Sequence, residues 1–221
     1  MKEDFYPPFV AGCFYHIYNR GNNRENLFYK EENYRYFLKK YDEYLSDYLD
    51  TYAYCLLPNH FHLLVRVKDN DAVLTAARLS KFLKPSEAEE RIPSLEGMVS
   101  VDRIVSEQFR RFFISYSQSI NKQENRVGSL FQKNFKRKEV KNESYFIRVV
   151  HYIHANPQLH GICSDYMEYP HSSYGRILVE KPTKLMKSQI LDWFGGKEGY
   201  KLFYEINKTS LSVKSGYEIE D

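Results

Sequence analysis

Cysteine is scarce in this 221-residue chain. Cys13, Cys55 and Cys163 make an odd set with no C-x-x-C spacing. Such a set argues against a disulfide framework and a zinc knuckle, and fits a reducing, cytoplasmic setting. Long apolar runs are missing too; none approaches the ~18 residues that span a bilayer. The opening MKEDFYPPFVAG is acidic and holds a Pro-Pro pair, so no secretory signal is expected. There is no internal repeat and no low-complexity segment. Nor is there a large excess of one charge: the net is only +3, a total that does not by itself argue for a nucleic-acid partner.

What is present says more. Hydrophobic residues make up 43% and charged residues 28%, the balance of a soluble globular protein. The length suits one domain with a substantial core plus an appendage. Positive charge is clustered. KNFKRKEVK (133–141) carries Lys133, Lys136, Arg137 and Lys138 beside Phe131 and Phe135. Arg20, Arg24 and Arg66 add charge near a histidine segment described below. Aromatics reach 16%, including 20 tyrosines. Basic and aromatic groups together suit a groove for single-stranded nucleic acid, where bases stack and phosphates pair. A tyrosine-rich core with a solvated basic loop gives the same composition.

Residues 13–20, CFYHIYNR, alternate and predict a strand. Tyr34, Phe37, Leu38, Tyr41, Leu45 and Tyr48 recur at helical spacing over 31–48. TYAYCLL (51–57) predicts a second strand, and residues 60–68 a third, paired as a hairpin across Pro58-Asn59. Segment 69–126 is mostly helical: a short helix ends before Pro85, a polar loop covers 86–100, and an apolar stripe from Val101 to Ile120 predicts a longer helix. A fourth strand falls late in 130–140. Asn142 caps a helix that runs to about Asn156 and stops at Pro157. The order is that of an α+β ferredoxin-like βαββαβ core with an antiparallel sheet. A helical insertion precedes the last strand. The expected domain covers 1–180, with the insertion at about 69–126, and a C-terminal helical extension covers 181–221.

CLLPNHFHLLVRV (55–67) sets two histidines inside an apolar run. Side chains alternate along a strand. Phe61, Leu63, Val65 and Val67 therefore share one face, and His60, His62, Leu64, Arg66 and Lys68 the other. Two imidazoles on one strand face can ligate one cation through neutral nitrogens; they can equally be surface histidines without a role. The helix ESYFIRVVHYIHANP (143–157) puts Phe146, Val149, Val150 and Ile153 on its apolar face. Tyr145, Arg148, Tyr152 and Asn156 lie on a second face, more than one packed face needs. Tyrosines there can also simply cover a hydrophobic rim. A phenol, with pKa near ~10, becomes a useful nucleophile beside a cation or a base. Phosphodiester cleavage needs a Lewis acid at the phosphate. His60, His62 and an Asn156 oxygen would hold that ion, with Tyr152 one turn away and Arg148 and Arg66 near the phosphates.

YHIYNRGNNRENLFYKEENYRYFL (15–38), YCLLPNHFHLLV (54–65), GSLFQKNFKRKEV (128–140), YFIRVVHYIHANPQLHGI (145–162) and YPHSSY (169–174) occur in this order. Together they resemble the single-tyrosine HUH transposases, and among these the REP-associated tyrosine transposases. The resemblance implies a Mg²⁺- or Mn²⁺-dependent nuclease that cuts and rejoins single-stranded DNA with hairpin structure through a 5′-phosphotyrosine link. By position, Tyr152 matches the nucleophile, His60 and His62 the H-U-H ligands, and Asn156 the polar third ligand. The basic run is then expected on the DNA backbone. The resemblance leaves monomer and homodimer both open. Two other readings stand beside this one: a domesticated nucleic-acid-binding regulator of the same fold, and a metal-dependent phosphodiesterase in which water attacks. His16, in phase with Phe14 and Tyr18, approaches the site if the first strand pairs with the third. His151 and His154 fall on other sides of the helix.

Overall fold

The computed structural model describes residues 6–80 and 100–208. The elements in chain order are β1 (Phe14–Arg20), α1 (Glu31–Leu45), β2 (Leu49–Leu57), β3 (His60–Val67), α2 (Asn70–Leu79), α3 (Val101–Gln123), β4 (Lys136–Val140), α4 (Glu143–Leu159), α5 (Tyr174–Leu178), α6 (Lys187–Trp193) and α7 (Gly196–Asn207). The helix end expected near Lys84 and the loop expected over 86–99 lie outside the described residues. The strands make one antiparallel sheet in the order β2-β3-β1-β4. Two βαβ units, β1-α1-β2 and β3-α3-β4, interleave to give the ferredoxin-like core. The expected insertion thus divides: α3 is the crossover helix this core requires, and α2 is the addition.

One face of the sheet packs on α1 and α3. Tyr15 and Ile17 of β1, with Phe61, Leu63, Val65 and Val67 of β3, meet Phe37, Tyr41 and Leu45 of α1. Ile104, Val105, Phe109, Phe112, Tyr116 and Ile120 of α3 complete this layer. Their spacing is the single apolar stripe that a helix lying on a sheet needs. Ser100 caps α3 by accepting from the Arg103 N–H at 3.3 Å. Asn33 Oδ1 takes the N–H groups of Tyr29 and Lys30, both at 2.9 Å, at the start of α1.

The other face packs on α4, backed by α5 to α7. Asn142 caps α4 as expected, its Oδ1 accepting from the Tyr145 N–H at 2.9 Å. Two expectations fail here. Pro157 does not stop the helix, which continues to Leu159. The ring removes only the N–H that would have bonded the Ile153 carbonyl, and the last turn closes through the His160 N–H to Asn156 O at 3.0 Å. Nor is α4 a surface helix with one apolar face. Every residue from Val149 to Pro157 is buried, because the chain after it folds back over its outer side. That returning chain also covers the β2 edge. The Leu56 N–H bonds His171 O at 3.0 Å, the Ser173 N–H bonds Tyr54 O at 2.9 Å and the Met186 N–H bonds Thr51 O at 2.8 Å. A strand edge left bare would offer its backbone to other chains.

Candidate active site

Alternation along β3 turns His60 and His62 toward α4, and alternation along β1 turns His16 and Tyr18 the same way. In the β1–β3 ladder Tyr18 sits opposite His62, and Arg20 opposite His60. This face is therefore closed by a helix rather than left open to water. His60 is 4% exposed, His62 0% and Tyr152 4%. The Tyr152 ring lies 5.6 Å from that of His62 and 5.9 Å from that of His16. The His60 and His62 rings are 5.2 Å apart and nearly perpendicular, at 86°.

The hydrogen bonds fix the chemistry of these rings. Asn59 Nδ2 donates to Arg24 O at 3.4 Å, so Oδ1 is the atom set 2.6 Å from His60 Nδ1. His60 therefore carries its proton on Nδ1 and a lone pair on Nε2. Facing that lone pair at 3.1 Å is Asn156 Oδ1, a second acceptor. Two acceptors at this separation repel unless a cation sits between them or the amide turns its N–H inward. Asn156 is fully buried, and its Nδ2 has no hydrogen-bond partner among the described residues. The residues present thus fit a cation held by His60, His62 and Asn156. Being inside the helix, Asn156 stands one turn after Tyr152 on the same side. Among the described residues no group of three His, Cys, Asp or Glu side chains is arranged to hold a metal; the donor set here is two imidazoles and an amide.

The imidazoles are neutral. Burial, followed by the charges of His160 and Arg20, pushes His60 down to about 3, although the Asn156 contact works the other way. Burial, with Lys138, takes His16 to about 3. Burial again holds His62 well below the usual range, helped by His16, His60, His160 and Arg20. Neutral nitrogens are what a metal ligand requires.

The positive residues divide by strand phase. Lys136 lies 5.8 Å over the Tyr18 ring, and Lys138 sits 6.0 Å from the Tyr145 ring, both on the histidine face. Arg137 points to the opposite face, 4.2 Å over the Phe9 ring and 3.1 Å from Asp102. Arg66 stands at the far end of β3, opposite Phe14, and pairs with Asp50 at 3.4 Å and Asp69 at 2.8 Å. Arg148 is exposed, 5.6 Å from the Tyr145 ring. Lys133 is exposed in a loop, and Arg24 is exposed at the end of a 3-10 turn, Asn22–Arg24.

Three further side chains join the cluster. His16 Nε2 is 3.0 Å from His62 Nδ1. Asn59 holds His60. The exposed His160 sets its ring 4.7 Å from that of His60, one turn beyond Asn156, and that spacing was a signal available in the sequence. His151 and His154 face away. His154 lies between Tyr204 at 2.5 Å and Ser173 at 2.7 Å, and His151 meets Tyr166 at 3.3 Å. They tie α4 to the chain that follows it, at Tyr166, Ser173 and Tyr204.

Fold and geometry together define a ferredoxin-like domain that presents a histidine pair to a tyrosine-bearing helix. No family model matches the chain. It is 25% identical over 130 residues to a protein of Haemophilus influenzae (strain ATCC 51907 / DSM 11121 / KW20 / Rd) named provisionally as a REP-associated tyrosine transposase. The match takes in 58% of this chain and 60% of that relative's length. A solved structure of a REP-associated tyrosine transposase bound to a REP hairpin has the same fold. Its TM-score is 0.55 at 17% identity, over 82% of this chain and 89% of that one. The family suggested by the motifs is the one both comparisons return: the chain is similar in sequence to a protein named as a REP-associated tyrosine transposase and similar in fold to a solved one.

Proposed function

We propose that the chain is a metal-dependent nuclease and strand transferase that acts on hairpin-bearing single-stranded DNA through Tyr152. One observation carries this reading: two neutral imidazoles, an amide oxygen and a phenol converge between β3 and α4. His60, His62 and Asn156 would hold Mg²⁺ or Mn²⁺. When bound, the ion would polarise a phosphate and stabilise the departing 3′-oxygen. The Tyr152 oxygen would form the new bond to phosphorus as the bond to the 3′-oxygen breaks. The phenol gives up its proton and the 3′-oxygen ends as a hydroxyl. Attack by that hydroxyl on the 5′-phosphotyrosine would rejoin strands. Arg20, whose charge reaches both imidazoles, would take a flanking phosphate, with Lys136 and Lys138 further along the β4 edge. All the protein donors are neutral, so the negative charge around a bound cation would come from the DNA itself.

The burial of Tyr152 and His62 favours a second reading, a hairpin-binding regulator without chemistry. Incubation of hairpin-bearing single-stranded DNA with the protein and Mn²⁺ separates the two. The expected result is a protein–DNA adduct that survives SDS and is abolished in Tyr152→Phe. Cleavage that persists in that variant would mean water is the nucleophile. Binding without cleavage by the unmodified protein would favour the regulator.

A further inference from the structure

His60 and His62 are each held from behind by a different kind of group. For His60 the group is the Asn59 amide oxygen, which can only accept. For His62 it is another imidazole, and nothing in the proposed chemistry yet uses it. His16 is two residues from Tyr18, the cross-strand partner of His62, so it meets His62 diagonally on one sheet face. The rings are 5.2 Å apart and offset-stacked at 20°, and the nitrogens are 3.0 Å apart. Both residues are fully buried. His16 spends Nε2 on His62 Nδ1, so it cannot offer that nitrogen to an ion bound by His62 Nε2. Its Nδ1 has no hydrogen-bond partner among the described residues.

We propose that His16 is a positioning residue for His62: its Nε2 accepts the proton of His62 Nδ1 and leaves the lone pair on His62 Nε2 for a cation. The inference rests on the metal-site reading above. The pair shares one proton across the 3.0 Å gap, and the sense of sharing decides whether His62 can ligate. If His16 donated, His62 Nε2 would carry a hydrogen and be useless to a metal. If His62 donates, the two ligand histidines become equivalent, each tied through Nδ1 and open at Nε2. A ligand held by a hydrogen bond to its distal nitrogen is fixed in tautomer and ring angle. Loss of such a partner typically weakens metal affinity about 10–100-fold.

The test reads the tautomer directly. In ¹⁵N-histidine spectra of the whole chain with saturating Mg²⁺, His62 should show a protonated Nδ1 and an Nε2 that carries no proton. A protonated Nε2 on His62 would overturn the proposal without needing any variant. Mn²⁺ titration followed by electron paramagnetic resonance gives a second readout. His16→Phe should weaken binding tenfold or more, while His16→Gln, whose amide oxygen can accept, should recover most of it. Unchanged Mn²⁺ affinity in a folded His16→Phe would overturn the role of His16 alone. No specific Mn²⁺ binding by the unmodified protein would overturn the metal-site reading itself, and this inference with it.

Discussion

The two faces of the sheet are built to different rules. Under α1 and α3 the layer is apolar, and its few buried polar groups are matched. Tyr41 meets Thr51 at 2.7 Å, Gln108 donates to the Tyr48 hydroxyl at 3.3 Å, and Asn33 is bonded on both sides of its amide. On the α4 side five histidines are buried: His16, His60 and His62 on the sheet, and His151 and His154 on the outer side of α4. That side also holds buried atoms that remain unmatched among the described residues: His16 Nδ1, Asn156 Nδ2 and the Tyr145 hydroxyl. Buried polar atoms are nearly always hydrogen-bonded, and the exceptions need a reason. One face is packed for stability. On the function proposed above, the other gives up stability to keep donors and acceptors ready for a bound cation and DNA.

Truncation on the packed face should have the largest effect. Phe37 is fully buried between Phe61, Phe112 and Tyr116. Phe37→Ala should cost about 3–5 kcal/mol in urea unfolding. If that variant remains folded, its Mn²⁺ affinity should match the parent. A loss below about 1 kcal/mol would mean the two faces are not as different as their packing suggests.

Acid should separate the faces next. His16, His60 and His154 are pushed down to about 3 and His151 to about 4, mainly by burial. An unfolded histidine takes its proton near pH ~6.5. Between ~6.5 and those folded values the unfolded chain binds more protons than the native one, so stability falls as pH falls. The slope is at most roughly 1.4 kcal/mol per pH unit for each such histidine. Amide exchange at pH 7 and pH 5 should show α4 losing protection well before α1 and α3. Equal loss in both layers would contradict this.

Much of this division was legible in the sequence, because alternation needs no coordinates. The phase of FHLLVRV already sent Phe61, Leu63, Val65 and Val67 one way and the histidines the other, and Asn142 announced the start of α4. What stayed hidden depended on partners far away in the chain. The burial of the outer side of α4 comes from residues after Gly161, whose place against that helix no local pattern fixes. Arg66 looked available for phosphate until β2 placed Asp50 directly opposite it. His16 became a site residue only once the β1–β3 register was fixed. Pro157 misled because a proline near a helix end forfeits one bond, less than the burial of that last turn supplies.

Replacing an unmatched polar group should cost little. Asn156→Leu keeps the branched outline of a fully buried side chain, with somewhat greater bulk, and removes both the facing acceptor and the orphaned Nδ2. Its stability should fall within about 1 kcal/mol of the parent or above it, while Mn²⁺ binding is lost. Strong destabilisation would show that Asn156 is structural after all.

The smallest expected effect tests the same two-faced logic on charge. Lys138 and Arg137 are neighbours in one basic run, yet β4 sends them to opposite faces. Lys138 lies on the histidine face, opposite His16. Arg137 is engaged by Asp102 and the Phe9 ring. Lys138→Ala should weaken binding of hairpin-bearing single-stranded DNA and lower the slope of log K against log salt by about 0.7, the release expected for one phosphate contact on a single strand. Arg137→Ala should leave that slope unchanged and lower the unfolding midpoint instead, since it removes a half-buried ion pair and a stacked cation. Equal salt slopes for the two variants would mean the DNA does not follow the histidine face. Tyr152 would then be reached, if at all, from the other side of α4.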